Sequence, residues 1–369
     1  MPGQRTVLFV SKPIVPPFHD GAKCLVRDVA LELRRYRPIV LGTHDAPALA
    51  DGIEMDRVYR TGGSFAPALR DKARVFQRLL LGRGPDVWHF VFAPNPVSSS
   101  AGRVARALRP VATVQTVASA PRSFAGSARL LFGDRVVTTS AWTRDRLVAD
   151  GAAAARIRVI PPSVPELAPA NAEWKREWFG GLDLPEGVPL IVYPGDLEIS
   201  TGAALFARAL PSIFEKNLDV HAVYACRAKT ERAAQAQQRL ERELAPHARR
   251  IRFVGEVPSL PALLSVATVV AFPVDNLFGK VDLPIAVLEA MALGVPVVVL
   301  DLGPLRELEG ALCVPPGDGE ALAGACVALL DSAERRAELA EKGRAAVRER
   351  HRPAQAARAY EALYDELLR

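Results

Sequence analysis

Residues 275–310, DNLFGKVDLPIAVLEAMALGVPVVVLDLGPLRELEG, read as a loop, a helix, a strand and a second loop leading into another helix. Residues 297–300, Val-Val-Val-Leu, are apolar at every position. That fits a strand covered on both faces, and hence a parallel sheet flanked by helices. Ahead of it, Asp282 and Pro284 have the form of a helix start, an N-cap carboxylate followed by a first-turn proline. Ile285, Leu288 and Ala292 repeat on one helical face, and Gly294-Val295-Pro296 ends the run. Glu289 does not fit this apolar pattern. Either it lies on a solvated side of the helix or it is held there for a use, because an unpaired buried carboxylate is costly.

The same alternation runs through the chain. Residues 6–10, 38–41, 86–90, 111–117 and 135–140 read as strands of a first half; the alternation restarts at 189–203 and continues through 220–225, 252–257 and 269–272 in a second. Helices are expected over 25–35, 70–83, 141–150, 231–244, 260–267, 319–330, 333–350 and 353–368. A chain of 369 residues is too long for one ordinary core. Residues 161–189 are rich in Pro, Gly and Glu, with Trp174 and Trp178 in a short helical piece, and read as a crossover. The pattern predicts two doubly wound α/β domains, 1–165 and 189–352, with a linker at 166–188 and a last helix at 353–369.

Composition excludes several classes. A net charge of +6 with 24% charged residues favours an anionic small molecule or lipid surface and is no nucleic-acid footprint. Cys24, Cys226, Cys313 and Cys326 are far apart, with no C-x-x-C pair, so neither a zinc site nor a disulfide framework is indicated. Free thiols point to a reducing, cytoplasmic setting. Residues 6–10 are too few for a signal peptide, and the apolar run 263–274 is too short to span a bilayer. The basic helix at 70–83, with Leu69, Phe76, Leu79 and Leu80 on one side, is expected either to dock on the protein or to rest on anionic lipid.

Loops at the carboxyl ends of parallel strands are where such sheets bind ligands. The first is the Pro-rich stretch 11–23, in which Gly21, just ahead of a helix, would let backbone N–H groups approach an anion. No G-x-G-x-x-G accompanies it. A second is Cys226-Arg227-Ala228-Lys229-Thr230, whose Arg227 and Lys229 precede a helix and form a candidate anion site. Lys280 adds a third cation beside Asp282.

The run Leu288-Glu289-Ala290-Met291-Ala292-Leu293-Gly294-Val295-Pro296-Val297-Val298 resembles the E-A-M-A-x-G-x-P-V-V segment of the retaining glycosyltransferases of family 4 (group 1). The resemblance extends over nearly the whole chain and is most specific at 284–298. It implies the GT-B fold: two Rossmann-like domains facing a cleft, with a C-terminal helix crossing back to the first. It also implies transfer of a sugar from a nucleoside diphosphate sugar with retention, by a hexosyltransferase-type enzyme. Glu289 would accept hydrogen bonds from ribose hydroxyls. Asp282, with Leu283, Pro284 and the loop N–H groups, would hold the donor sugar, the alternative for Asp282 being plain N-capping. Asp20, Gly21 and Lys23 would line the cleft. His89 matches the first histidine of a P-D-V-V-H-x-H strand end and would position hydroxyls, unless it is a core histidine. Gln115 stands where many relatives have histidine.

Two departures stand out. Family 4 carries G-R-L-x-x-x-K-G after the first strand of its second domain, and the Arg and Lys neutralise the donor diphosphate. Here those positions hold Asp196 and Thr201. An aspartate there would repel a diphosphate. Either Arg227, Lys229 and Lys280 take over, or the scaffold only binds a ligand. An epimerase or a phosphorylase on the same fold is a further alternative. The position eight before Glu289, a glutamate in the family, is Val281. No metal or other cofactor is expected beyond the nucleotide sugar as co-substrate. The expected acceptor is a glycan, a lipid-linked sugar or a small molecule, in cell-envelope or glycoconjugate biosynthesis. The expected location is cytoplasmic, with peripheral contact at the inner membrane face through 70–83.

Overall fold

The computed structural model describes residues 4–369 except 17, 19, 63–66 and 170. Pro17 and His19 of the first Pro-rich loop therefore lie outside the described residues. Its elements, in chain order, are β1 (Thr6–Val10), α1 (Gly21–Glu32), β2 (Arg37–Thr43), β3 (Glu54–Tyr59), α2 (Leu69–Leu81), β4 (Val87–Val91), α3 (Pro96–Leu108), β5 (Ala112–Val117), β6 (Arg135–Thr138), α4 (Ala141–Ala149) and β7 (Ile157–Val159). Then follow α5 (Ala172–Gly181), β8 (Leu190–Tyr193), α6 (Gly202–Lys216), β9 (His221–Tyr224), α7 (Arg232–Glu243), β10 (Ile251–Phe253), α8 (Leu260–Ser265) and β11 (Val269–Phe272). The last are α9 (Ile285–Ala292), β12 (Val297–Leu300), β13 (Leu312–Val314), α10 (Gly319–Asp331), α11 (Ala333–Arg350) and α12 (Pro353–Leu367).

The chain divides into two units. The first comprises Met1–Pro165, Phe278–Ile285 and His351–Arg369; the second comprises Glu166–Leu277 and Ala286–Arg350. In the first unit a parallel sheet runs β3-β2-β1-β4-β5-β6-β7 among the described residues. Its inner strands β1, β2 and β4 are largely apolar on both faces because both are covered. In β1, Val7 and Phe9 join a core with Leu25, Val26 and Val29 of α1, while Leu8 joins Val75 and Leu79 of α2 on the other side. The final helix α12 packs on α1 and adds Ala356, Ala357, Tyr360, Leu363 and Tyr364 to the first of these cores. A buried carboxylate fixes it: Glu361 accepts from the N–H groups of Arg34 and Arg35, each at 2.7 Å.

The second unit has a parallel sheet in the order β10-β9-β8-β11-β12-β13. β8, β11 and β12 are buried along their whole length, as a strand between two helical layers must be. α6 and α10 pack together; α6 buries Leu205, Phe206, Leu210 and Ile213, and α10 buries Leu322, Cys326 and Leu329. In both sheets the order doubles back beside the first strand, between β1 and β4 and between β8 and β11. Those are the switch points at which open α/β sheets take ligands, outside the carboxyl ends of the strands. Among the described residues, no helix is long and apolar enough to cross a membrane.

Candidate functional site

At the first switch point the loop after β1 is held by its own charges. Asp20 caps α1, accepting from Ala22 N–H at 3.0 Å, and its other oxygen pairs with Lys12 Nζ at 2.8 Å. Lys23 is buried and donates to the Gly62 carbonyl at 2.9 Å. Gly21 is needed for close packing: a Cβ there would come within 2.9 Å of Val281 Cγ2. The helix therefore begins four residues before the expected position, at the Asp20 cap.

His89 and Gln115 correct the expectation of cleft-facing groups. His89 has no exposed surface; its Nδ1 and Nε2 lie 2.7 Å from the hydroxyls of Tyr364 and Thr116, and its ring packs against Phe9 and Tyr360. Burial lowers its pKa from the ordinary 6.5 to about 3, so it is neutral. Gln115 is equally enclosed, and its Oε1 accepts from Phe132 N–H at 2.8 Å. Neither strand position reaches solvent, because both faces of the sheet are covered.

The segment Phe278–Ile285 clusters with the first unit. Arg122 lies over the Phe278 ring, 5.1 Å from its centroid. Asp282 is fully buried and accepts from Ser140 Oγ at 2.6 Å. The Ser140 oxygen in turn caps α4 through Thr143 N–H. Asp282 thus stands three residues before the first helical residue of α9, and the expected N-cap is corrected to a link with Ser140. Leu283 and Pro284 are buried beside it, and Lys280 is half-buried. Lys280 belongs with the first unit, whereas Arg227 and Lys229 belong to the second.

Three carboxylates organise the second switch point. Asp196, fully buried, accepts from the N–H groups of Ile199 and Ser200 at 2.7 and 2.9 Å. Its second oxygen lies 3.9 Å from Lys229 Nζ. Glu198 accepts from the N–H groups of Lys229 and Thr230, both at 2.8 Å. Asp275, on the loop after β11, takes the Thr201 N–H at 2.8 Å and its hydroxyl at 2.7 Å. Two backbone N–H groups of the candidate anion loop 226–230, those of Lys229 and Thr230, are thus filled by Glu198. Arg227 is half-buried on the same loop. The thiol of Cys226 is pushed well above its usual range by burial first and by Asp196 second. Glu198, Asp275 and Ser140 were not singled out from the sequence.

α9 follows the β11 switch-point loop. Val287, Leu288, Ala290 and Met291 are buried, while Glu289 is only partly so. The helix closes with bonds from Val295 N–H to Ala290 O and from Gly294 N–H to Met291 O, with Gly294 at φ +75°. This double closure requires the left-handed residue that glycine supplies.

Residues 20–166 match the family model described as Glycosyltransferase Family 4, and residues 188–332 match that of Glycosyl transferases group 1. No curated sequence matches the chain. Among solved structures, HepE of Anabaena in complex with UDP and glucose superposes with a TM-score of 0.77 at 15% identity, covering 97% of this chain and 99% of that one. Sucrose-phosphate synthase of Thermosynechococcus elongatus gives 0.77 at 18% identity, covering 99% of each chain. A glycosyltransferase of Rickettsia africae gives 0.76 at 16% identity, covering 100% of this chain and 99% of that one. These likenesses establish the fold. With a family 4 match over its first half and a group 1 match over its second, the chain belongs to the group 1 glycosyltransferases of GT-B fold.

Proposed function

We propose that the chain transfers a hexose from a nucleoside diphosphate sugar to an acceptor with retention of anomeric configuration. The observation that carries this is Glu289, a partly exposed acid on a helix whose Ile285, Val287, Leu288, Ala290 and Met291 are buried. A carboxylate so placed suits the paired hydroxyls of a ribose, each of which can donate to one oxygen. HepE, on the same fold, was solved with UDP and glucose, which supports a nucleoside diphosphate sugar as donor. Catalysis on this reading comes from orienting the substrates and stabilising charge as the phosphate departs.

The reading needs no metal, so turnover should survive chelation by EDTA; its loss would contradict that part. A location in the cytoplasm, a glycan, lipid-linked sugar or small-molecule acceptor, and no nucleic-acid partner belong to the same proposal. The test is nucleoside diphosphate release from a panel of UDP-, GDP- and ADP-sugars. One donor should be consumed, with kcat/KM falling roughly 100-fold in Glu289→Ala. A second reading, a protein that binds the nucleotide without turnover, draws on Asp196, Glu198 and Asp275 already occupying backbone donors. Thermal stabilisation by a nucleotide with no release from any donor would favour it.

A further inference from the structure

The carboxyl edge of the second sheet is provided with its own anions. Its switch point lies between β8 and β11, and the loops leaving β8 and β9 carry N–H groups of the kind that hold phosphate. Five of them, on Ile199, Ser200, Thr201, Lys229 and Thr230, bond to Asp196, Asp275 and Glu198. Lys229, with a side chain 10% exposed, has Asp196 as an ion-pair partner, and Asp196 is 0% exposed. The turn itself does not call for a charge, since the amide oxygen of asparagine would accept the same two N–H bonds. A full negative charge is therefore matched to the lysine and not merely to the backbone.

We infer that Asp196 is a specificity-determining residue: its charge offsets that of Lys229, so the donor is held mainly by its nucleoside and only weakly by its diphosphate. This rests on the donor reading above. With the lysine's charge offset by Asp196 and those five N–H groups occupied, a diphosphate at this edge meets less attraction than the lysine alone would give. A unit charge about 8 Å from a diphosphate carrying about two negative charges, at a water-like dielectric near 80, alters an affinity roughly sixfold. A weak hold on the diphosphate also favours departure of the spent donor.

The test is calorimetric titration of the full chain at low salt with UDP, GDP and ADP and with uridine, guanosine and adenosine. Asp196→Asn should bind the preferred diphosphate roughly sixfold more tightly and its nucleoside unchanged. The gain should vanish in Asp196→Asn combined with Lys229→Gln. A folded Asp196→Asn whose diphosphate affinity is unmoved or lower, with nucleoside binding intact, overturns the inference alone. A gain that persists in the double variant overturns the pairing with Lys229. Should Asp196→Asn fail to fold, Lys229→Gln decides: weaker diphosphate and unchanged nucleoside binding supports the inference, and no change in either overturns it. If the wild type binds none of the six probes, the donor reading falls, and this inference with it.

Discussion

His89 has both ring nitrogens 2.7 Å from hydroxyls and no exposed surface, so its chemistry is that of a neutral core group. Its native pKa of about 3 lies below the ordinary 6.5, so between those values the unfolded chain takes up a proton that the native one refuses. This contribution to stability is intact above 6.5 and is lost as pH falls toward 3, at up to about 1.4 kcal/mol per pH unit. Unfolding midpoints in urea across that range should show the slope, and His89→Gln should flatten it. The sequence placed this histidine on its strand correctly. The family resemblance implied that the last helix returns to the first domain, but not that it covers His89, because a contact between residues 89 and 364 leaves no local pattern. Ser140 is a similar case. Ser140→Ala removes a bond to the buried Asp282 carboxylate and a helix cap, and should cost about 2–4 kcal/mol in chemical unfolding. An unchanged midpoint would show that the link does not contribute.

The end of α9 and the whole of β12 were legible almost to the residue, because a helix stop and a fully apolar strand are local signals. Gly294→Ala should destabilise by about 1–2 kcal/mol, since φ is +75° there, and an added Cβ would also press on Arg344. Differential scanning calorimetry checks it. β3 and α3 were not anticipated. β3, Glu-Met-Asp-Arg-Val-Tyr, is an edge strand with little burial, and α3 buries only the small residues Ser99, Gly102 and Ala105. β3 gives no hydrophobic rhythm, and in α3 the helically spaced Val97, Val104 and Leu108 lie exposed. α2 was legible as a helix, but Leu69 is 75% exposed where the pattern put it on the apolar side. Arg74 and Arg78 of that helix pair with Asp71 and Asp56, which reduces the charge left for lipid. If α2 does rest on membranes, the protein should float with anionic vesicles, and Leu69→Glu with Leu81→Glu should abolish that. Equal flotation of the variant would remove α2 from the membrane proposal.

At the scale of the molecule, two sheets of the same winding carry switch points with different local chemistry. The alternation of strands and helices, readable along the chain, is enough for the fold class. The charges at the ends of β8 and β9 could be read as departures from a family pattern, but not as bonds. Whether Asp196 repels a ligand or caps a turn and pairs with Lys229 depends on loops brought together from separate strands. The central claim is that Glu289 grips ribose. It is tested by titrating the preferred nucleoside diphosphate and its 2′,3′-dideoxy analogue into wild type and Glu289→Gln. Wild type should lose on the order of tenfold or more in affinity when the hydroxyls are removed, and the variant should bind both forms about equally. A Glu289→Gln protein that discriminates between them as strongly as wild type would contradict the account.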